Sequence, residues 1–101
     1  GAIGKAEENN ALWFGTQSNQ SSLAPSIVVA SQVYHWEVTL REIIALINEG
    51  TLGGTSFKAN LANGGEVIEF NPDYALSDEA KALAETTIQG IIDGTIKITL
   101  P

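Results

Sequence analysis

The sequence predicts an α/β fold, and three observations carry that expectation. Short apolar runs rich in β-branched and aromatic residues recur along the chain, two stretches place apolar residues at helical spacing, and Asn63-Gly64-Gly65 separates two alternating segments in the manner of an antiparallel hairpin.

The elements follow in order. Ile3 to Glu8 reads as a short helix that stops at the polar pair Asn9-Asn10. "ALWFGT" (Ala11 to Thr16) and "SIVVAS" (Ser26 to Ser31) read as strands. Neither alternates apolar with polar, so both faces of each should be covered, as in a sheet sandwiched by helices. From Trp36 the period becomes helical, with Trp36, Leu40, Ile43, Ile44 and Ile47 on one side and Glu37, Arg41 and Glu49 on the other; Gly50 ends the helix. "SFKANL" alternates Phe57, Ala59 and Leu61, and "EVIEF" (Glu66 to Phe70) returns as its hairpin partner. Ser77 caps a last helix with Asp78 and Glu79 in its first turn, a buried stripe of Ala80, Ala84, Thr87, Ile88 and Ile91, and a stop at Gly94. "TIKITL" then alternates Ile96, Ile98 and Leu100 as a final strand closed by Pro101.

One step in this layout is strained. A parallel crossover ordinarily needs a dozen or more residues, yet only Gln17 to Pro25 separates the first two strands. They are therefore expected not to be simple parallel neighbours, and the chain reads as a piece of a larger protein.

Composition narrows function. Five basic against twelve acidic residues give a formal charge of -7, so no basic stripe is available to neutralise phosphates and a nucleic-acid partner is not expected. The absence of cysteine excludes disulfides, a thiolate nucleophile and thiolate metal sites. No apolar run approaches the roughly 20 residues needed to span a bilayer. The chain also contains no Met, which fits a processed or truncated product whose targeting segment lies elsewhere.

Catalytic constellations are missing from the pattern. His35 is the sole histidine, no G-x-S-x-G surrounds a serine, and no carboxylate set has metal-ligand spacing, so the chain is not expected to be an enzyme or to hold a metal or cofactor. Gly1-x-x-Gly4 lacks the remaining features of a phosphate loop, and Asn19-Gln20-Ser21 matches a glycosylation sequon that says only that the loop could be exposed. The stretch Gln17 to Ser22 is more informative. It concentrates uncharged amides and hydroxyls after a strand's C-terminal end, where open α/β sheets place ligands, and Tyr34 and Trp36 follow the next strand with faces suited to planar or sugar ligands. Gln17, Asn19, Gln20, Tyr34 and Trp36 are the candidate ligand-binding residues.

The succession "FGTQSNQSSLAPSIVVASQVYHW", "INEGTLGG", "LANGGEVIEF" and "IIDGTIKI" resembles the C-terminal part of the basic membrane protein family, extracytoplasmic lipoproteins that serve bacterial ABC importers as substrate-binding components. The resemblance runs over nearly the whole chain. It implies a partial type I periplasmic-binding-protein fold with Rossmann-like lobes, in which residues 1–33 supply second-lobe strands and hinge, and 34–101 mainly first-lobe helices, hairpin and return strand. It also implies binding of a purine nucleoside, a nucleobase or a similar small polar ligand, without catalysis, by closure of two lobes. The implied partners are an ABC permease and the missing N-terminal part of the same protein, with self-association of the fragment and anchoring to the cell membrane by an N-terminal lipid absent from this chain. Nucleoside-binding members commonly carry an acidic residue where Gln17 stands and a Lys where Tyr34 stands; Gln17 is the first expected polar contact, Tyr34 and Trp36 the cleft-wall aromatics, Asn19 and Gln20 the loop supports. The alternative expectation is a stand-alone acidic α/β protein-interaction module with no small-molecule ligand.

Overall fold

A computed structural model describes residues 1–99 of the chain. Its elements are α1 (Ala2–Glu8), β1 (Trp13–Gly15), a single 3-10 turn (Ser21–Leu23), β2 (Val28–Tyr34), α2 (Trp36–Asn48), β3 (Glu66–Phe70) and α3 (Asp78–Ile92). The strands form one three-stranded mixed sheet in the order β1-β2-β3. β1 runs parallel to β2, with Trp13 opposite Val28 and Gly15 opposite Ser31, and a register shift falls between Trp13 and Phe14. β3 runs antiparallel to β2, from Ala30 opposite Phe70 to Tyr34 opposite Glu66.

This pairing corrects the expectation that β1 and β2 would not be direct parallel neighbours. The connection manages its crossover without a long helix because the 3-10 turn and a tight bend fold it back, with the Ile27 and Val28 N–H groups both donating to the Ala24 carbonyl. β1 is also shorter than Ala11 to Thr16, and its Phe14 is 67% exposed, so only β2 is covered on both faces. From Val28 to Ser31 that strand is buried without interruption. Ala24, Ile27 and Val28 form the core, and Ile3 and Ala6 of α1 pack on it together with Trp13.

Asn71 joins the strand ends. It is 3% exposed, and its Nδ2 donates to the carbonyls of Pro25 at 2.9 Å and Val28 at 2.7 Å. Its Oδ1 accepts from the Asp73 N–H at 3.0 Å, and its own N–H donates to the Val29 carbonyl. One buried side chain thus supplies the donors that the entrance to β2 would otherwise lack.

The expected hairpin does not form, because residues 57–61 are not a strand. Asn60 and Asn63 each accept the other's backbone N–H through the side-chain oxygen, and Asn63 Nδ2 donates to the Lys58 carbonyl. These side chains claim the backbone groups that a ladder would use. β3 pairs with β2 instead, and His35 N–H donating to the Gly65 carbonyl extends that pairing.

Both long helices form where the pattern places them. α2 ends in a Schellman arrangement, with Gly50 at φ 87°, its N–H on the Ile47 carbonyl and the Thr51 N–H on that of Leu46. In α3 the Ser77 hydroxyl accepts from the Ala80 N–H at 3.2 Å. Neither helix contains a buried residue, however, so the expected sandwich of sheet between helices is absent. The final strand is absent too from residues 95–99. Ile96 N–H donates to the Gly90 carbonyl, folding the chain back over α3, where Gly90 leaves room for the Ile96 side chain. The part of that expectation resting on Leu100 and Pro101 lies outside the described residues. The Cα radius of gyration is 17.0 Å, against about 13 Å for a closed domain of this length.

Replacing Asn71 by Ala or Leu leaves the buried Val28 carbonyl and the partly buried Pro25 carbonyl without their donor and should lower stability by about 1–3 kcal/mol, read as a reduced urea midpoint at unchanged slope. Ser77→Ala should cost about 1 kcal/mol locally, and because α3 buries nothing, faster amide exchange in its first turn should report that loss rather than the global midpoint.

Candidate functional site

The C-terminal ends of β1 and β2 lie side by side and are covered by the loop between them. Gln32, pointing from β2, is the hub: its Oε1 accepts the Thr16 hydroxyl at 2.9 Å and the Gln17 N–H at 3.3 Å. Its Nε2 is buried with no protein acceptor among the described residues. Gln17 sits at φ 74°, a conformation costly for a residue with a Cβ, and is held there from both sides because its carbonyl also accepts the Tyr34 N–H at 3.2 Å. Its exposed side chain makes no hydrogen bond within the described residues.

Gln20 ties the loop to the sheet. Its Nε2 donates to the Thr16 carbonyl at 3.0 Å, its Oε1 accepts the Trp13 indole N–H at 2.7 Å, and its backbone N–H donates to the Ser31 hydroxyl at 3.1 Å. Ser31 can reach that N–H because Gly15 opposite has no side chain; a Cβ there would lie 2.5 Å from the Ser31 oxygen. Asn19 reaches across to β3, with Nδ2 donating to Glu69 at 2.6 Å, while its Oδ1 accepts the Ser21 N–H at 2.9 Å.

The aromatic pair continues this edge. The rings of Tyr34 and Trp36 are 5.0 Å apart and tilted by 33°, and Trp36 is 59% exposed at the start of α2. Between them in sequence, His35 lies 3.9 Å from both Glu37 and Glu69. These separations exceed hydrogen-bonding distance and amount to a charge pair only when the imidazole is protonated. Among the described residues no group of His, Cys, Asp or Glu has metal-binding geometry.

All five sequence-predicted residues therefore fall along one rim. Asn19 and Gln20 are engaged in holding the loop, whereas Gln17, Tyr34 and Trp36 present surface. Sequence reasoning missed Gln32, Ser31 and Glu69. Gln32 and Ser31 stood out only as polar residues inside the run "VVASQV", with nothing in the sequence to give their partners, and Glu69 looked like one more solvated acid.

No family model matches the chain, and no curated protein does. Among solved structures it is similar to the crystal structure of a transcriptional activator of the comK gene from Bacillus halodurans, with 17% sequence identity, a TM-score of 0.76, and coverage of 96% of this chain and 34% of that one. The chain thus spans about a third of that protein's length. The expected membership of the basic membrane protein family is corrected by these findings, since no family model supports it and the fold found is that of part of a protein described as a transcriptional activator. With it go the partial type I periplasmic-binding-protein fold, the ABC-importer solute receptor with its permease and nucleoside-like ligand, and the stand-alone interaction module. The physical reason is local: the first two strands, expected not to be parallel neighbours, are directly paired in one small mixed sheet.

Gly15→Ala should displace the Ser31 hydroxyl from the Gln20 N–H and cost about 1–3 kcal/mol. Combined with Ser31→Ala, which removes the clashing oxygen, it should cost less than the two single changes summed, a non-additivity measurable by a double-mutant unfolding cycle.

Proposed function

We propose that the chain is a segment of a transcription regulator, and that the Gln17 rim is the part of the segment that answers to a signal. The likeness of 96% of the chain to part of a transcriptional activator carries this reading. It reverses the expectation that nucleic acid is not a partner: DNA is the partner of the complete regulator. The charge of -7 supports a division of labour within it, because five basic residues among twelve acidic ones cannot supply a run of phosphate contacts. The contacts to DNA are made by other parts of a longer polypeptide.

The rim suits a regulatory role without catalysis. Gln17 is locked in a left-handed backbone conformation by its neighbours yet leaves its amide unused, and strain of this kind is characteristic of sites where a ligand or switch is engaged. Tyr34 and Trp36 flank it with exposed aromatic surface, and Asn19 and Gln20 keep the loop in place.

Chromatin immunoprecipitation of the complete protein, paired with transcript profiling of a deletion strain, tests the reading. Discrete promoters should be enriched and their transcripts altered; no enriched promoter and an unchanged profile would overturn it. In fluorescence anisotropy, duplex DNA should bind the complete protein with an affinity that falls steeply with salt, and should not bind the 101-residue chain. Equal affinity for both would defeat the division of labour.

A further inference from the structure

Helix α2 carries an apolar face that the described residues do not cover. On α2, Leu40, Ile44 and Ile47 recur on one side and are 54%, 56% and 49% exposed. Beside them Ile43, Leu46, Leu52 and Phe57 help to line an open hollow of about 160 Å³. A stripe of this period is the pattern of a helix packed on a core, and α2 keeps its charged residues Glu37, Arg41 and Glu42 off the apolar stripe.

We infer that the α2 face and its hollow are an internal docking surface, covered by another folded part of the same longer polypeptide through aliphatic or aromatic side chains. Two observations choose this occupant. The fold recurs in a solved protein as only 34% of the chain, so there it is built together with about twice as much further polypeptide. The radius of gyration of 17.0 Å, against about 13 Å for a closed domain, shows a unit that does not complete its own core. Among the described residues no charged side chain lines the hollow, so its occupant is apolar. The inference does not depend on the proposed role in transcription, since it uses only the length comparison and the open faces.

Leu40→Glu combined with Ile44→Glu tests it in two settings. In the 101-residue chain the pair should leave amide protection of β2 unchanged and reduce the fluorescence of an added anilinonaphthalene dye, because it alters an open surface. In the complete polypeptide the same pair should accelerate amide exchange of α2 by about a hundredfold and lower the unfolding midpoint, because it places charge in a buried contact. A complete polypeptide indifferent to both substitutions would overturn the inference. So would a concentration-dependent dimer of the 101-residue chain that the pair abolishes, which would make a second copy the occupant. Promoter occupancy enters neither measurement, so failure here and failure of the regulatory reading are separable.

Discussion

The fold depends on satisfying the buried backbone of β2. This strand has a neighbour on each edge and is covered from Val28 to Ser31, so its polar groups have no access to water and must be paired within the protein. Ladder bonds to β1 and β3 do most of this. Asn71 completes it where β2 begins, placing two donors on the carbonyls of Pro25 and Val28 and linking the end of β3 to the start of β2 through one amide. The hydrophobic contribution is modest by comparison, because the core proper is small: Ala24, Ile27 and Val28, with α1 and Trp13 against them. Polar satisfaction and apolar burial therefore coincide at one end of one strand.

The candidate site lies at the opposite end of the same strand. Beyond Ser31 the residues of β2 become only half-buried, and while β3 stays paired, Gln32 takes over on the other edge where the ladder to β1 has ended. Its oxygen holds Thr16 and Gln17 while the Gly15–Ser31 approach lets Gln20 close the loop. The result is a rim whose backbone is fixed but whose Gln17, Tyr34 and Trp36 side chains remain available. Glu37 and Glu69 place carboxylates along one side of it, each 3.9 Å from His35.

The helices follow a different logic. α2 and α3 are specified locally: a Schellman turn at Gly50, a serine cap at Ser77, acids near the N-termini and an apolar stripe of the right period. Such signals suffice to form a helix in the chain, but they do not say what the stripe will meet. Here the stripe of α2 buries no residue, with Trp36 at its start reaching Tyr34 of β2, so secondary structure and core have separated, and the sheet is stabilised without either helix burying a residue.

The sequence by itself determined those features whose causes are short-ranged. Helix periods, caps, the β-branched run of β2 and the strand at Glu66–Phe70 all depend on neighbours within a turn or two, and so does the concentration of amides between Gly15 and Ser22. Tertiary structure decided which strands pair, because pairing compares partners far apart in sequence. The Asn63-Gly64-Gly65 signal marked a turn correctly but not a hairpin, since Asn60 and Asn63 bond to each other's backbone and release Glu66–Phe70 to pair with β2. The parallel pairing of β1 with β2 across a short loop, the role of Gln32 and the donors of Asn71 were equally invisible, because each rests on a contact that only the folded chain creates. The same distinction explains the helices: their faces are written in the sequence, while their covering is a property of what the chain packs against.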